Sequence, residues 1–98
     1  MIRIYQIDIN KDKNHVKFMP FDFVKNFDFS IYNEVWSGEL ENCSLEEIFR
    51  FFNLNHPWDF KGHSLSVSDI VQIIDSHTNV LNGYYYCDSV GWKKIDVE

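Results

Sequence analysis

The sequence has little of what would hold a small secreted or metal-bound protein together. Its 98 residues include only two cysteines, Cys43 and Cys87, together with two prolines and four glycines. Neither cysteine belongs to a C-x-x-C pair, which argues against a zinc or thiol-redox site. Residues 1–5 lead directly into a strand pattern, without the features of a signal peptide. We therefore expect a cytoplasmic protein with reduced thiols.

Long apolar runs and positive charge are also scarce. No apolar run approaches the roughly 20 residues that cross a bilayer, so we expect no membrane association. The chain has 9 Lys+Arg against 15 Asp+Glu, a net charge of −6. Binding to a phosphate backbone needs clustered cations, so we expect no direct nucleic-acid backbone binding.

The charge is unevenly distributed along the chain. Residues 1–19 hold four cations and two acids (net +2), residues 20–62 three and eight (net −5), and residues 63–98 two and five (net −3). The acidic parts suit solubility. A basic partner surface and an acidic mimic of nucleic acid are the alternatives.

Aromatic residues are abundant, with nine Phe, five Tyr and three Trp. A chain this short buries only about 60–65% of its unfolded surface, and large rings compensate for the small core. This composition excludes intrinsic disorder. The length predicts a single domain over residues 1–98.

The first third of the chain predicts three strands. Residues 2–9 carry apolar side chains on both parities, which is typical of a strand that is covered on both faces. A polar turn over residues 10–14 follows, and Val16 and Phe18 then predict the second strand of a hairpin. Residues 31–36 predict the third strand.

Two helices are predicted from local signals. Apolar residues at i, i+3 and i+6 follow a proline and predict a short helix over about residues 20–27. Ser44 and Glu47 form a capping box ahead of an apolar helix face over about residues 45–53. We expect this main helix to end near Asn55, in the left-handed conformation.

The last third predicts a meander of three strands. Residues 70–74, 84–87 and 92–97 have strand character, joined by a polar connection over residues 75–83 and a turn over residues 88–91.

Strands interrupted by one substantial helix predict an α+β fold. We expect a twisted or half-closed antiparallel sheet, with the main helix packed on it. A parallel βαβ architecture would need more crossover helices than this sequence has.

The segment Gly-His-Ser-Leu-Ser-Val-Ser-Asp-Ile-Val at residues 62–71 resembles the YodL-like domain of Firmicutes and their mobile elements. Its flanks agree, with Phe-Asn-Leu-Asn-His-Pro-Trp-Asp-Phe at residues 52–60 and Tyr-Tyr-Cys-Asp-Ser-Val-Gly-Trp at residues 85–92. The resemblance covers nearly the whole chain. Trp92 departs from it, where Phe is expected, and the connection over residues 75–82 looks longer than usual.

This resemblance implies a non-enzymatic protein–protein interaction domain. Members of the family occur in phages, plasmids and conjugative elements, alone or as modules of larger proteins. They are thought to bind host or element-encoded proteins, for example cell-shape machinery. It implies no catalytic residue, cofactor or metal, and it is compatible with a host-modulating role that includes host defence.

Clustered Ser, His and Asp residues raise the question of a hydrolase or a metal site. His63 and Ser64 are chain neighbours, which point to opposite faces of a strand, and there is no Gly-x-Ser-x-Gly elbow. The spacing of His56, Asp59 and His63 matches no common zinc pattern, with or without Asp88. We therefore predict neither a catalytic nor a metal site.

Short polar side chains at strand ends have a structural interpretation. Ser68-Asp69 and Asp88-Ser89 can accept backbone amides at bends. The alternative is a small-molecule or nucleotide site in a loop pocket around residues 56–69 and 88–92.

The aromatic residues exceed what alternating strand faces can hide. Successive tyrosines at 84–86 cannot all face one core, so we expect exposed rings at a partner surface, against the alternative of packing at the rim of the core. The candidate interaction residues are Trp58, His63, Ser66, Asp69, Tyr84, Tyr86, Asp88 and Trp92.

Overall fold

One antiparallel sheet organises the fold of this computed structural model, which describes residues 1–40, 44–74 and 80–97. Its five strands lie in the order β2-β1-β3-β4-β5, and the sheet is open. The elements are β1 (Ile2–Ile7), β2 (Tyr32–Gly38), α1 (Leu45–Leu54), β3 (Ile70–Ile73), β4 (Gly83–Cys87) and β5 (Trp92–Ile95). The predicted α+β class is confirmed.

Strand β1 is an interior strand, which pairs with β2 on one side and β3 on the other. Ile2 and Ile4 face one core cluster and Tyr5 faces the other, so both faces of the strand are buried as predicted. The pairing with β2 shifts register after Ile4, which leaves Val35 as an extra residue on β2. The Val35 carbonyl accepts the Lys61 amide at 3.2 Å.

The C-terminal meander is confirmed. Strand β4 pairs with β3 and β5, and the 88–91 turn is closed by the Asp88 amide, which donates to the Gly91 carbonyl at 3.0 Å. Gly91 has φ +72°, a conformation that glycine adopts without strain. The outer strand β5 carries two exposed lysines, Lys93 and Lys94, one on each face of the sheet. Cys43 and residues 75–79 of the expected polar connection lie outside the described residues.

The main helix α1 covers the first face of the sheet. Its capping box is formed as predicted: the Glu47 amide donates to Ser44 Oγ at 3.1 Å, and the Ser44 amide donates to Glu47 Oε1 at 3.2 Å. Ile48 and Phe52 are fully buried against the sheet. The expected left-handed cap is wrong, since Asn55 has φ −156°. The Asn55 amide completes the last helical turn through the Phe51 carbonyl instead, at 2.9 Å.

An irregular aromatic segment covers the second face of the sheet. The predicted helix over residues 20–27 is reduced to a single 3-10 turn at Phe21–Phe23, and a second turn follows at Phe29–Ile31. The chain extends at Val24 between them, which spreads the rings across the sheet instead of stacking them on one helix face. The side chains that pack on this face are Phe21, Val24, Phe27, Phe29 and Tyr32.

The predicted strand at Val16 and Phe18 is absent, and the hairpin is wrong. The Asp12 carboxylate accepts the Val16 and Lys17 amides at 2.9 and 3.0 Å, which folds this segment into turns. Phe18 has φ +70°, which is incompatible with a strand. Strand β1 pairs with β2 on one edge and with β3 on the other, so the segment around Val16 cannot pair with β1 in a hairpin.

No helix within the three described ranges is both long and apolar enough to cross a membrane.

A substitution at Phe27 measures how much the packing on the second face contributes to stability. The Phe27 ring lies within 5.8–6.5 Å of four others, those of Phe21, Phe29, Tyr32 and Tyr86. We expect Phe27→Ala to lower the free energy of unfolding by about 2–4 kcal/mol, because it opens a cavity among these rings. Phe23→Ala is the matched control: Phe23 is 67% exposed and should cost less than about 0.5 kcal/mol. Urea unfolding measures both variants, and equal losses would contradict a packed second face.

Candidate functional site

A buried carboxylate lies at the start of β3. Asp69 is fully buried, and its Oδ2 accepts the Ser66 amide at 2.9 Å and Gln6 Nε2 at 3.0 Å. Its backbone carbonyl accepts the Cys87 amide at 2.8 Å, whereas its Oδ1 has no hydrogen-bond partner. The carboxylate therefore joins the β3 bend to the end of β1.

Two amide side chains hold the loop that leads to this bend. Gln6 Nε2 donates to the His63 carbonyl at 2.8 Å, and Gln6 Oε1 accepts the His63 amide at 3.1 Å. Asn53 of α1 makes the same two-way contact with Leu65, at 3.1 and 2.6 Å. A Cβ at Gly62 would lie 2.1 Å from Gln6 Oε1, so only glycine allows Gln6 to reach this backbone.

His63 is exposed, and its ring nitrogen Nδ1 lies 3.4 Å from Gln6 Nε2. Its Nδ1 lies 2.7 Å from the Ser64 carbonyl, so Nδ1 carries the proton that is donated there. The ring packs 6.0 Å from that of Phe18. Ser66 Oγ is buried and has no hydrogen-bond partner, and the Asp69 carboxylate accepts the Ser66 amide. These residues therefore lack the hydrogen bonds from nucleophile to base and from base to acid that a catalytic triad needs.

Ser68 ties the second-face segment to the sheet. It is fully buried with φ +87°, and its amide donates to the Cys87 carbonyl at 2.9 Å. Its Oγ accepts the Phe18 amide at 2.9 Å and its carbonyl accepts the Tyr32 hydroxyl at 2.7 Å. The structural interpretation of the Ser68-Asp69 bend is therefore supported by five contacts to distant segments.

Burial dominates the electrostatics of this cluster. It raises the pKa of Asp69 to about 7, although the Ser66 amide, Gln6 and the Lys17 charge oppose the rise. Burial also raises the pKa of the Cys87 thiol to about 12, so that thiol is not a nucleophile at neutral pH.

Asp88 and Trp92 lie in a separate concavity of about 240 Å³, between α1 and the β4–β5 turn. Trp92 Nε1 donates to Glu46 Oε1 at 3.0 Å, and its ring meets Phe49 edge-on at 6.3 Å. Asp88 Oδ1 accepts the Ser89 amide at 2.8 Å and the Phe21 amide at 3.3 Å. This concavity joins the 88–92 turn to Val67 of the 56–69 loop, as expected for the loop pocket. His63 and Asp69 do not line it and are engaged with Gln6.

The two candidate tyrosines pack on the second face of the sheet. Tyr86 is 1% exposed and its hydroxyl donates to the Met19 carbonyl, while Tyr84 is half-buried, 5.5 Å from Phe29. Asp69 and Tyr86 therefore do not belong to an exposed surface, which corrects their place among the interaction residues. Trp58 is 95% exposed and does belong to the surface.

Sequence reasoning missed an apolar strip that consists of Phe18, Met19 and Phe23. These side chains are exposed by 57%, 38% and 67%. Met19 and Phe23 line a concavity of about 320 Å³ together with Val16 and Val24. The sequence does contain an indication of this strip. Residues 16–27 include more apolar side chains than one strand and one helix could bury if each had a single buried face.

The fold and these contacts define a small α+β domain, built on an open antiparallel sheet with its polar clusters committed to holding backbone segments together. The family model of the YodL-like domain matches residues 1–97, so the chain belongs to the YodL-like domain family. Comparison with curated proteins and with solved structures gave no match.

Asp69→Ala is expected to lower the melting temperature by several degrees. The substitution leaves the Ser66 amide without its acceptor and removes one of the acceptors of Gln6 Nε2, and a buried unsatisfied donor costs about 1–3 kcal/mol. In a domain of this size each kcal/mol corresponds to roughly 4–8 °C. Asp22→Ala, at an exposed position, is the control. An Asp69→Ala variant that melts like the wild type would show that the carboxylate does not hold the bend.

The raised pKa of Asp69 predicts a pH-dependent stability. The folded state binds this proton more tightly than the unfolded state does, so the stabilising contribution is present below about pH 4 and is lost as the pH rises toward 7. For one proton the slope is at most about 1.4 kcal/mol per pH unit. Asp69→Asn keeps an acceptor oxygen and removes the titration, so its stability relative to the wild type should rise between pH 4.5 and 7.5. Urea unfolding at several pH values measures this, and a constant difference would refute it.

Proposed function

We propose that this chain is a non-enzymatic protein–protein interaction domain. The observation that carries the proposal is the apolar strip, whose three large side chains stay exposed although the segment that bears them is anchored to the sheet. Large exposed apolar side chains that are grouped together mark contact surfaces in otherwise well-packed domains.

The polar residues support a binding role over a catalytic one. Asp69 and Asp88 accept backbone amides, and the carbonyl and amide of His63 are held by Gln6. Catalytic groups must converge on one reacting atom with their donors and acceptors free for it. Among the described residues, Asp69 and His63 lie in one cluster and Asp88 in another, and each has hydrogen bonds that hold the backbone.

The second candidate, a ligand site at Asp88 and Trp92, has the concavity beside α1 in its favour. Two carboxylates, Glu46 and Asp88, line it, and they would repel the phosphates of a nucleotide. This argues against nucleotide binding and leaves a small uncharged or cationic molecule as the alternative ligand.

The acidic residues have local tasks that account for part of the negative charge. Glu47 completes the capping box, Asp28 accepts the Ser30 amide, and Asp59 accepts Trp36 Nε1 at 2.9 Å. These hydrogen bonds favour ordinary solubility and capping over mimicry of a nucleic acid.

The resemblance to the YodL-like domain family implies a setting for this role. We propose that the chain acts in the bacterial cytoplasm as an accessory protein of a phage or mobile element. Its partner there would be a host or element-encoded protein, such as a component of cell-shape or defence machinery.

A capture experiment tests the interaction role. Tagged wild-type protein is expected to retain a specific protein from a bacterial lysate, and Phe18→Ser combined with Phe23→Ser should abolish that retention. Val90→Ser is the matched control, because Val90 is 91% exposed and lies outside the apolar strip. Retention of a small molecule without any partner protein would contradict the proposal, as would a partner that the double variant still retains.

A further inference from the structure

The apolar strip lies beside positive charge in a chain whose net charge is −6. Lys25 lines the concavity next to Phe23, and the Lys17 ammonium lies 5.4 Å from the centre of the Phe18 ring. Lys13 lines a second concavity of about 140 Å³, which shares Val16 and Val24 with the first. The strip is therefore framed by three lysines.

Two of these lysines are exposed and form no ion pair among the residues that the structure describes, Lys13 and Lys25. The third, Lys17, is only partly exposed, and its ammonium donates to the Ile7 carbonyl at 3.3 Å. The nearby Asp12 carboxylate is buried and accepts the Val16 and Lys17 amides.

Two other acids lie in this region. Asp28 accepts both the amide and the hydroxyl of Ser30. Asp22 is exposed. Lys13 and Lys25 are the exposed cations of this surface that are available to a partner.

The strip is also held in place from inside the fold. The Phe18 amide is bound by the buried Ser68 hydroxyl, and the Met19 carbonyl accepts the buried Tyr86 hydroxyl. These contacts fix the backbone at φ +70° for Phe18 and keep the ring at the surface. A surface that is ordered before binding loses little conformational entropy when a partner docks.

We propose that the apolar strip and the exposed lysines Lys13 and Lys25 dock an acidic segment of a partner protein, a segment that also carries aromatic or aliphatic side chains. Its carboxylates would pair with these two lysines, and its apolar side chains would enter the concavity beside Phe23. This inference rests on the proposed function and specifies the chemistry of the partner.

A random copolymer of glutamate and tyrosine is a direct probe of this chemistry. The protein and the copolymer are both negative overall, so their long-range repulsion disfavours non-specific association, and binding would report a local site. We expect the wild-type protein to bind poly(Glu,Tyr) measurably and to perturb amide NMR signals of residues 13–25. The net charge of −6 attracts poly(Lys,Tyr), and we expect this polymer to perturb amides of the acidic segments and to leave those of residues 13–25 unchanged.

Charge-matched variants make the test specific. Lys13→Glu combined with Lys25→Glu should weaken binding of poly(Glu,Tyr) by about tenfold or more. Arg50→Glu combined with Lys61→Glu, at exposed positions of α1 and the following loop, changes the net charge equally and should stay within about twofold of the wild type. Phe23→Ser is a second variant, which should weaken binding without any change of charge.

Each outcome decides the inference. It is overturned if poly(Glu,Tyr) does not bind, if poly(Lys,Tyr) perturbs the same amides, or if the two charge variants weaken binding equally. If poly(Glu,Tyr) binding fails but the wild type captures a lysate protein that the Phe18→Ser, Phe23→Ser variant does not, the interaction role stands and only the acidic partner is rejected. If both poly(Glu,Tyr) binding and this capture fail, both proposals are rejected.

Discussion

The sheet has two apolar faces, and the described chain has one α-helix to cover them. Ile4 and Val71 face α1, while Tyr5 and Ile70 on the same two strands face the opposite side. An exposed second face would remove much of the core that a chain of 98 residues can form. The segment that contains the two 3-10 turns covers it with aromatic rings. Most other features of the molecule follow from this arrangement.

An irregular cover leaves backbone groups without regular hydrogen bonds, and side chains supply the partners. Asp12, Asp28 and Asp88 accept amides of the covering region, Ser68 accepts the Phe18 amide, and Tyr86 donates to the Met19 carbonyl. Ser68 and Asp88, which resemble catalytic groups in the sequence, thus satisfy backbone amides of the covering region. The same contacts hold the apolar strip at the surface, which links the architecture of the second face to the proposed contact surface.

Signals that act over a few residues predicted their structures well. The capping box at Ser44 and the meander after β3 depend on neighbours within a hairpin or a helical turn. The strand expected at Val16 failed because both edges of β1 pair with strands that lie far away in the sequence. The i, i+3, i+6 spacing of Phe21, Val24 and Phe27 correctly marked three residues that face the sheet, but an extended chain achieves the same burial. Likewise, the Asp69 bend was predictable from its position before an apolar run, whereas its bond to Gln6 spans 63 residues.

The bulge at Val35 also affects how copies of the chain meet one another. The free edge of a sheet is a template on which a neighbouring molecule can add its own strand. On β2 the extra residue turns its carbonyl to the Lys61 amide, so the following loop occupies that position of the edge. On β5, Lys93 and Lys94 would bring four ammonium groups together if two such edges met. The two ends of the sheet thereby resist fibrous assembly by different means, one by steric occupation and the other by charge.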